Sequence, residues 1–345
     1  YLGDGMKKVM RVFSVILLIL VGTVFVTSPA GLLTSMTGID KNIWVVLIII
    51  YYIVATVLPV DKVIGKIYPI FGASLLFMAI GLAGAMIIGH FNGSMVMPEM
   101  TLQNLHPSGL SIFPFLFTTI ACGALSGFHS TQSPMMARCI NRESESKRVF
   151  YGAMVVEGIV ALIWCAVTIA FFGESGVIQS ALDSFGGQSG VVSHISKELL
   201  GPIGAVLAVL GVVACPITSG DTAFRSARLT IADAFNIKQD GLLSRFKLAI
   251  PLFVVCVFLT TIDFNIIWRY FAWSNQTLAT IFLWTATVYL IKNEANYWIS
   301  LIPATFMSSV CVSYILQAPE GFRLNAMFSN GVGVVAAIVL FVLFM

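Results

Sequence analysis

Ten runs of predominantly apolar residues dominate this chain, and few folds can place so many of them. They are Val12–Thr27, Ile43–Leu58, Tyr68–Gly89, Ser111–Leu125, Phe150–Phe172, Pro202–Ile217, Leu248–Ile262, Ile267–Ile291, Tyr297–Leu316 and Gly331–Met345. A soluble domain needs far more charged surface than the 10% of charged residues found here. Hydrophobic residues make up 58% of the 345, and mean hydropathy is +0.94. In lipid the backbone must satisfy its own polar groups, so each run is read as a helix. The fold class is therefore all-α: a single polytopic transmembrane domain over residues 1–345, with about ten helices and the bilayer as its solvent.

Orientation follows from lysine and arginine. With the N-terminal end placed inside, the inner segments hold 15 of these residues, among them Lys7, Lys8, Arg11, Arg142, Lys147, Lys238 and Lys292. The outer segments keep four: Lys41, Lys197, Arg269 and Arg323. That bias predicts a cytoplasmic N-terminal end and a multi-pass protein of the cell (inner) membrane. Two outer loops are long, His90–Leu110 and Glu174–Gly201; both are read as solvated or interfacial connectors, the second with an amphipathic stretch at Val191–Leu200. Tyr1 and Met345 read as the cut ends of a longer membrane protein.

Chemistry concentrates where two runs are interrupted. From Phe113 to Ala124 a helix would rise ~18 Å at 1.5 Å per residue, a little past the middle of a ~30 Å hydrocarbon core. Gly123, Ser126 and Gly127 then loosen the backbone, and His129, Ser130, Thr131 and Gln132 continue a polar run. Ser133-Pro134 reads as an N-cap and a first-turn proline that restart a helix. Non-helical backbone at this depth survives only where it is buried in protein or lines a cavity, and paired interruptions point to the binding site of a secondary transporter. The same stretch could also be a packing kink made of small residues. Gly123, Ser126, Gly127, His129, Ser130, Thr131 and Gln132 are the candidate substrate residues.

The second interruption, Pro216 to Asp221, ends the sixth run, and a helix is expected to resume at Thr222–Phe235. Thr218, Ser219 and Thr222 are hard oxygen donors suited to a small cation, and Asp221 is an intramembrane carboxylate, costly and so a functional candidate. Arg225 and Arg228 follow on the same helical face and read equally as a structural ion pair with Asp221. Glu157, alone in the fifth run, is either a proton carrier or half of a hidden pair. Asn275 and Gln276 face a cavity or a helix neighbour, and Arg269 with its aromatic neighbours forms an outer interfacial belt. Six cysteines without a CxxC pair indicate neither a disulfide framework nor a zinc site, and no cofactor, metal or nucleic-acid partner is expected.

The segment Phe113-Pro114-Phe115-Leu116-Phe117-Thr118-Thr119-Ile120-Ala121-Cys122-Gly123-Ala124-Leu125-Ser126-Gly127-Phe128-His129 resembles the signature of the carbon-starvation (CstA-type) transporter family. Asp221 to Arg228 and Phe271 to Ala279, with Ser274-Asn275-Gln276, resemble two further family blocks. The resemblance implies uptake of peptides or pyruvate, driven by a gradient of H+ or Na+. It also implies placement in the amino acid–polyamine–organocation superfamily, with its LeuT-like 5+5 inverted repeat. Family members begin with a Gly/Pro-rich broken helix that this chain lacks. On that alignment Val12–Thr27 is the third helix of the repeat, the fourth run is the broken sixth helix, and the sixth run is the eighth, which lines the cation site.

Two other classes are weighed: a membrane-embedded enzyme such as an intramembrane protease, and a starvation sensor that binds without transport. There is no HExxH, and a Ser126–His129 pair is a weak nucleophile signal. Transport is the preferred reading and enzyme activity is not expected.

Overall fold

The computed structural model describes every residue except 58, 59, 100–102, 121, 122 and 174, with only the backbone given at 57, 60–67 and 175. The elements described are helical. In chain order they are α1 (Asp4–Thr37), α2 (Lys41–Val57), α3 (Val60–Phe91), α4 (Ile112–Ile120), α5 (Gly127–Ala137), α6 (Ala153–Phe172), α7 (Ser175–Ser184), α8 (Gln188–Ala208), α9 (Cys215–Ala234), α10 (Leu242–Thr260), α11 (Phe264–Lys292), α12 (Trp298–Gln317) and α13 (Ala326–Phe344). A short 3-10 turn covers Glu143–Glu145, and π segments at Lys147–Gly152 and Val209–Ala214 run into α6 and α9.

Seven stretches among the described residues are long and apolar enough to cross a membrane, and α2 adds a shorter apolar helix. The broken α4–α5 pair and α11 lie outside that set. In α11 the reason is composition: Ser274, Asn275, Gln276, Thr280 and Thr287 are all buried. They serve helix contacts. Trp273 Nε1 donates to the Cys311 carbonyl at 3.1 Å, Trp284 Nε1 to Ser308 Oγ at 3.0 Å and Thr287 Oγ1 to Ser300 Oγ at 2.8 Å, all on α12. Where lipid tails are as apolar as leucine, close packing and such hydrogen bonds hold helices together.

The centre of the bundle is α1. Its buried face, including Leu17, Leu18, Val21, Val24 and Ala30, packs with Tyr52 of α2, Phe224 and Ala227 of α9, Phe253 of α10 and Leu278 of α11. A second core joins Met78 and Leu82 of α3 to Val167 of α6 and Val191, Ile195 and Ala208 of α8.

Several expectations change. The long segment from 174 to 201 is largely helical rather than a plain connector, although residue 174 lies outside the described residues. Its α8 portion buries Val191 and Ile195, the apolar side of the amphipathic stretch. Gly201, at φ 62° and ψ −149°, then turns the chain sharply before Pro202, a backbone state closed to side chains. That turn marks the expected start of the sixth run.

The second interruption is not a loop. The chain passes from the π segment straight into α9, and Thr218, Ser219 and Asp221 are helical. Pro216 lies in the first turn of α9, where its ring conflicts with the carbonyl of Val212 four residues back. The wider π turn at that carbonyl absorbs the conflict without opening the helix.

Candidate functional site

The first interruption is real and falls at the expected glycines, but it ends earlier than expected. The α-helix ends at Ile120 and resumes at Gly127; Ala121 and Cys122 of the signature lie outside the described residues. Ser126 is extended, at φ −124° and ψ 127°, and is the N-cap of α5. The Ser133-Pro134 restart is thus corrected by seven residues. Ser133 Oγ donates to the His129 carbonyl at 2.8 Å, and Pro134 lies inside the helix. Ser130 and Thr131 likewise donate to the carbonyls of Gly127 and Phe128, at 2.7 and 2.6 Å. Hydroxyls that bond back to their own helix make a polar run compatible with helix.

Ser126 does not cap α5 with its own side chain. Asn275 of α11, fully buried, performs that role from across the bundle. Its Oδ1 accepts the Phe128 N–H at 2.8 Å and the Ser126 hydroxyl at 3.2 Å. The helices meet very closely here: a Cβ on Gly127 would fall 2.4 Å from the Asn275 carbonyl oxygen and 2.8 Å from Leu278 Cβ. Only glycine permits this approach.

The seven candidate substrate residues do not share one surface. Ser126 and Gly127 face α11. Gln132 faces α9, where its Nε2 donates to Ser226 Oγ at 3.1 Å. Gly123 lies against Ala161 of α6. His129 also turns to α6, and its Nε2 sits 3.0 Å from Glu157 Oε2. Glu157 therefore has a partner, one of the two alternatives open for it. Ser130 and Thr131 line a cavity of about 460 Å³ together with Lys7, Arg11 and Ser14 of α1 and Thr230 of α9. Its walls are hydroxyl-rich, and its α1 side mixes Lys7 and Arg11 with Asp4, Arg11 being held at 2.7 Å by Asp233 of α9.

The α9 candidates form a separate cluster on the side facing α2 and α10. Asp221, 4% exposed, is paired with Arg225 at 3.3 Å. Arg228 is buried nearby, its Nε without a hydrogen-bond partner, and a void of about 10 Å³ separates these groups from Thr56, Ala249 and Phe253. That is room for a single water at most. Thr218 and Thr222 donate to the carbonyls of Cys215 and Thr218, and Tyr68 reaches the Thr218 carbonyl at 3.4 Å.

Two groups escaped sequence reasoning. The capping role of Asn275 carried no local signal beyond a polar pair in an apolar run. Glu320 is a buried carboxylate that accepts from Tyr314 at 2.5 Å and pairs with Arg269 at 3.1 Å, its side chain 2% exposed. Arg269 thus has an ionic partner within its expected belt.

The family model described as "Carbon starvation protein CstA" matches residues 4–189 and 179–314, nearly the whole chain. The chain belongs to this family. A Haemophilus influenzae protein described as an uncharacterized membrane protein is 38% identical over 234 residues, 53% of this chain and 63% of that protein. The Bacillus subtilis "Peptide transporter CstA" is 30% identical over 292 residues, 69% of this chain and 48% of the relative. The Escherichia coli "Pyruvate/proton symporter BtsT" is 37% identical over 103 residues, 28% of this chain and 14% of the symporter. The chain thus spans less than two thirds of the Haemophilus protein and under half of the Bacillus transporter. These functionally named relatives are transporters rather than enzymes.

Proposed function

We propose that this chain is the membrane bundle of a secondary active transporter that imports a small carboxylate such as pyruvate, or peptides, against its gradient. The α4–α5 break carries the reading: a membrane-depth helix end, capped from another helix, lies one turn from a hydroxyl-lined cavity. Ser130 and Thr131 offer oxygen and hydroxyl contacts there. Lys7 of α1, which lines the cavity, would attract an anionic group. Gly123, Ser126, Gly127, His129 and Gln132 set the shape and position of the broken helix around the substrate.

On this reading the ten apolar runs are ten crossings in a LeuT-like inverted-repeat arrangement. The N-terminal end is cytoplasmic and the protein resides in the inner membrane, as the lysine and arginine distribution supports. Two intramembrane acids are the candidates for a coupling H+ or Na+. Glu157 stands beside His129. Asp221 has Thr218, Ser219 and Thr222 near it on α9, but must release Arg225 to accept a cation.

The geometry argues against a hydrolase. Ser126 donates to Asn275 and the imidazole of His129 meets Glu157, so among the described residues Ser126 has no basic partner of the kind a nucleophile requires. Uptake of labelled pyruvate and dipeptide by proteoliposomes under imposed proton and sodium gradients tests the proposal. Accumulation above equilibrium is expected. Absence of both accumulation and exchange for every substrate, with labelling of Ser126 by a serine-reactive probe, would favour the enzyme class and refute transport.

A further inference from the structure

We propose that His129 and Glu157 together form the proton-carrying site of the transporter, sharing one proton between Nε2 and Oε2 and passing it on as α5 moves against α6. The inference rests on the transport reading above and specifies its coupling ion.

Position is the first argument. Glu157 lies ten residues after Lys147, ~15 Å of helical rise from that basic end and so near the middle of a ~30 Å core. His129 is the third residue of α5, directly after the break. Because the α-helix is interrupted between Ile120 and Gly127, α5 can shift without dragging α4 as a rigid rod. Any such shift changes the 3.0 Å contact, since it ties the first turn of α5 to α6.

Charge is the second. With one proton the pair is neutral overall, as imidazolium with carboxylate or imidazole with carboxylic acid. Without it the pair carries one negative charge, which is costly at this depth. The unprotonated pair is therefore driven toward water and the protonated pair tolerates closure, which links proton occupancy to conformation. The side chains are 35% and 41% exposed, so neither is sealed inside the bundle.

Isolation is the third. His129 Nδ1 is buried and has no hydrogen-bond partner, so no second group among the described residues fixes the tautomer. Facing α5, α11 presents Asn275 and Leu278 and α9 presents Ser226, all uncharged. On α1 the charged residues lining the cavity beside Ser130 and Thr131 are Asp4, Lys7 and Arg11, the last paired with Asp233 of α9. Besides α3, α6 is packed by α7, which carries Asp183, and by the π segment with Lys147 and Arg148. Asp221, in contrast, already has Arg225 beside it.

The test uses proteoliposomes and three readouts: accumulation under an inward proton gradient, counterflow exchange at equal pH, and proton uptake on substrate addition followed with a pH dye in detergent. For Glu157→Gln the inference expects loss of gradient-driven accumulation and of substrate-linked proton uptake, with counterflow retained. A pair that only ties helices together would lower all transport modes in parallel and leave proton uptake per bound substrate unchanged, which overturns the inference. Accumulation by wild type under sodium but not proton gradients overturns it as well, while leaving transport intact. Should Glu157→Gln fail to fold, Glu157→Asp keeps a carboxyl one methylene shorter: retained proton-coupled accumulation by E157D, with slower turnover, supports the pair. Unaltered turnover and proton uptake at every pH overturns it. Absence of counterflow in wild type for pyruvate and dipeptides alike refutes the transport reading itself.

Discussion

Asn275→Ala isolates the contact that shapes the broken helix. Truncation removes the acceptor for the Phe128 N–H at 2.8 Å and for the Ser126 hydroxyl at 3.2 Å, both at a position with no solvent access. An N-cap lost to alanine costs about 0.5–2 kcal/mol, and a buried donor left unsatisfied costs about 1–3 kcal/mol. Side-chain hydrogen bonds inside membrane bundles fall at the low end of such ranges, because the loosened state also finds partners. About 1–2 kcal/mol is therefore expected at the start of α5, a factor of roughly 5–30 in the local opening equilibrium. Hydrogen exchange read by mass spectrometry on the peptide containing Phe128 should accelerate by that factor. Peptides from α10 and α13, which do not touch the break, should be unaffected. Substrate affinity should fall in the same variant, since the capped helix end belongs to the proposed site. Unchanged exchange at Phe128 in a folded Asn275→Ala protein would refute the capping argument.

Gly127→Ala places a Cβ 2.4 Å from the Asn275 carbonyl oxygen, so it should destabilise by about 1–3 kcal/mol through overpacking, measured as a lower midpoint in detergent unfolding. Asp221→Asn removes the carboxylate from beside Arg225 and near buried Arg228. The 3.3 Å pair predicts a stability loss toward the low end of ~3–5 kcal/mol, with the folded remainder still gradient-driven. A fully stable Asp221→Asn protein that no longer accumulates substrate would instead assign Asp221 to coupling. Cysteines introduced at Ser144 and Gln239 should resist an impermeant thiol reagent added outside intact cells, and modification of both would reverse the orientation.

Much of the bundle was legible because lipid imposes a one-dimensional rule: an apolar run long enough to cross must be helical. That rule located α1, α3, α6, α10, α12 and α13 without any knowledge of contacts. It was blind to what the polar residues inside a helix touch. Ser133-Pro134 carries the local signature of a helix start, yet α5 begins at Gly127, because Asn275 supplies a cap from 147 residues away and the hydroxyls of Ser130, Thr131 and Ser133 bond to their own helix. Pro216 carries the signature of a break, yet a π turn over Val209–Ala214 lets the helix continue. The pairing of Glu157 with His129 depends on how α5 leans on α6, and no spacing rule encodes that.

The unread contacts of α5 share a physical cause, and it bears on function. An isolated helix of 11 residues is too short to be stable by itself, so α5 holds its shape only through its neighbours. It is tied to α11 through Asn275, to α9 through the Gln132–Ser226 bond and to α6 through His129–Glu157. The first two ties are neutral hydrogen bonds whose strength does not depend on proton occupancy. The third is ionisable, and its strength changes when a proton arrives or leaves. A ligand shifts an equilibrium only by its differential affinity for the two states, and the same holds for a proton. An element held by two constant ties and one variable tie therefore has its position biased by protonation at a single point. Ser130 and Thr131 on the same short helix face the cavity, so that bias reaches the proposed substrate contacts through one rigid piece three turns long.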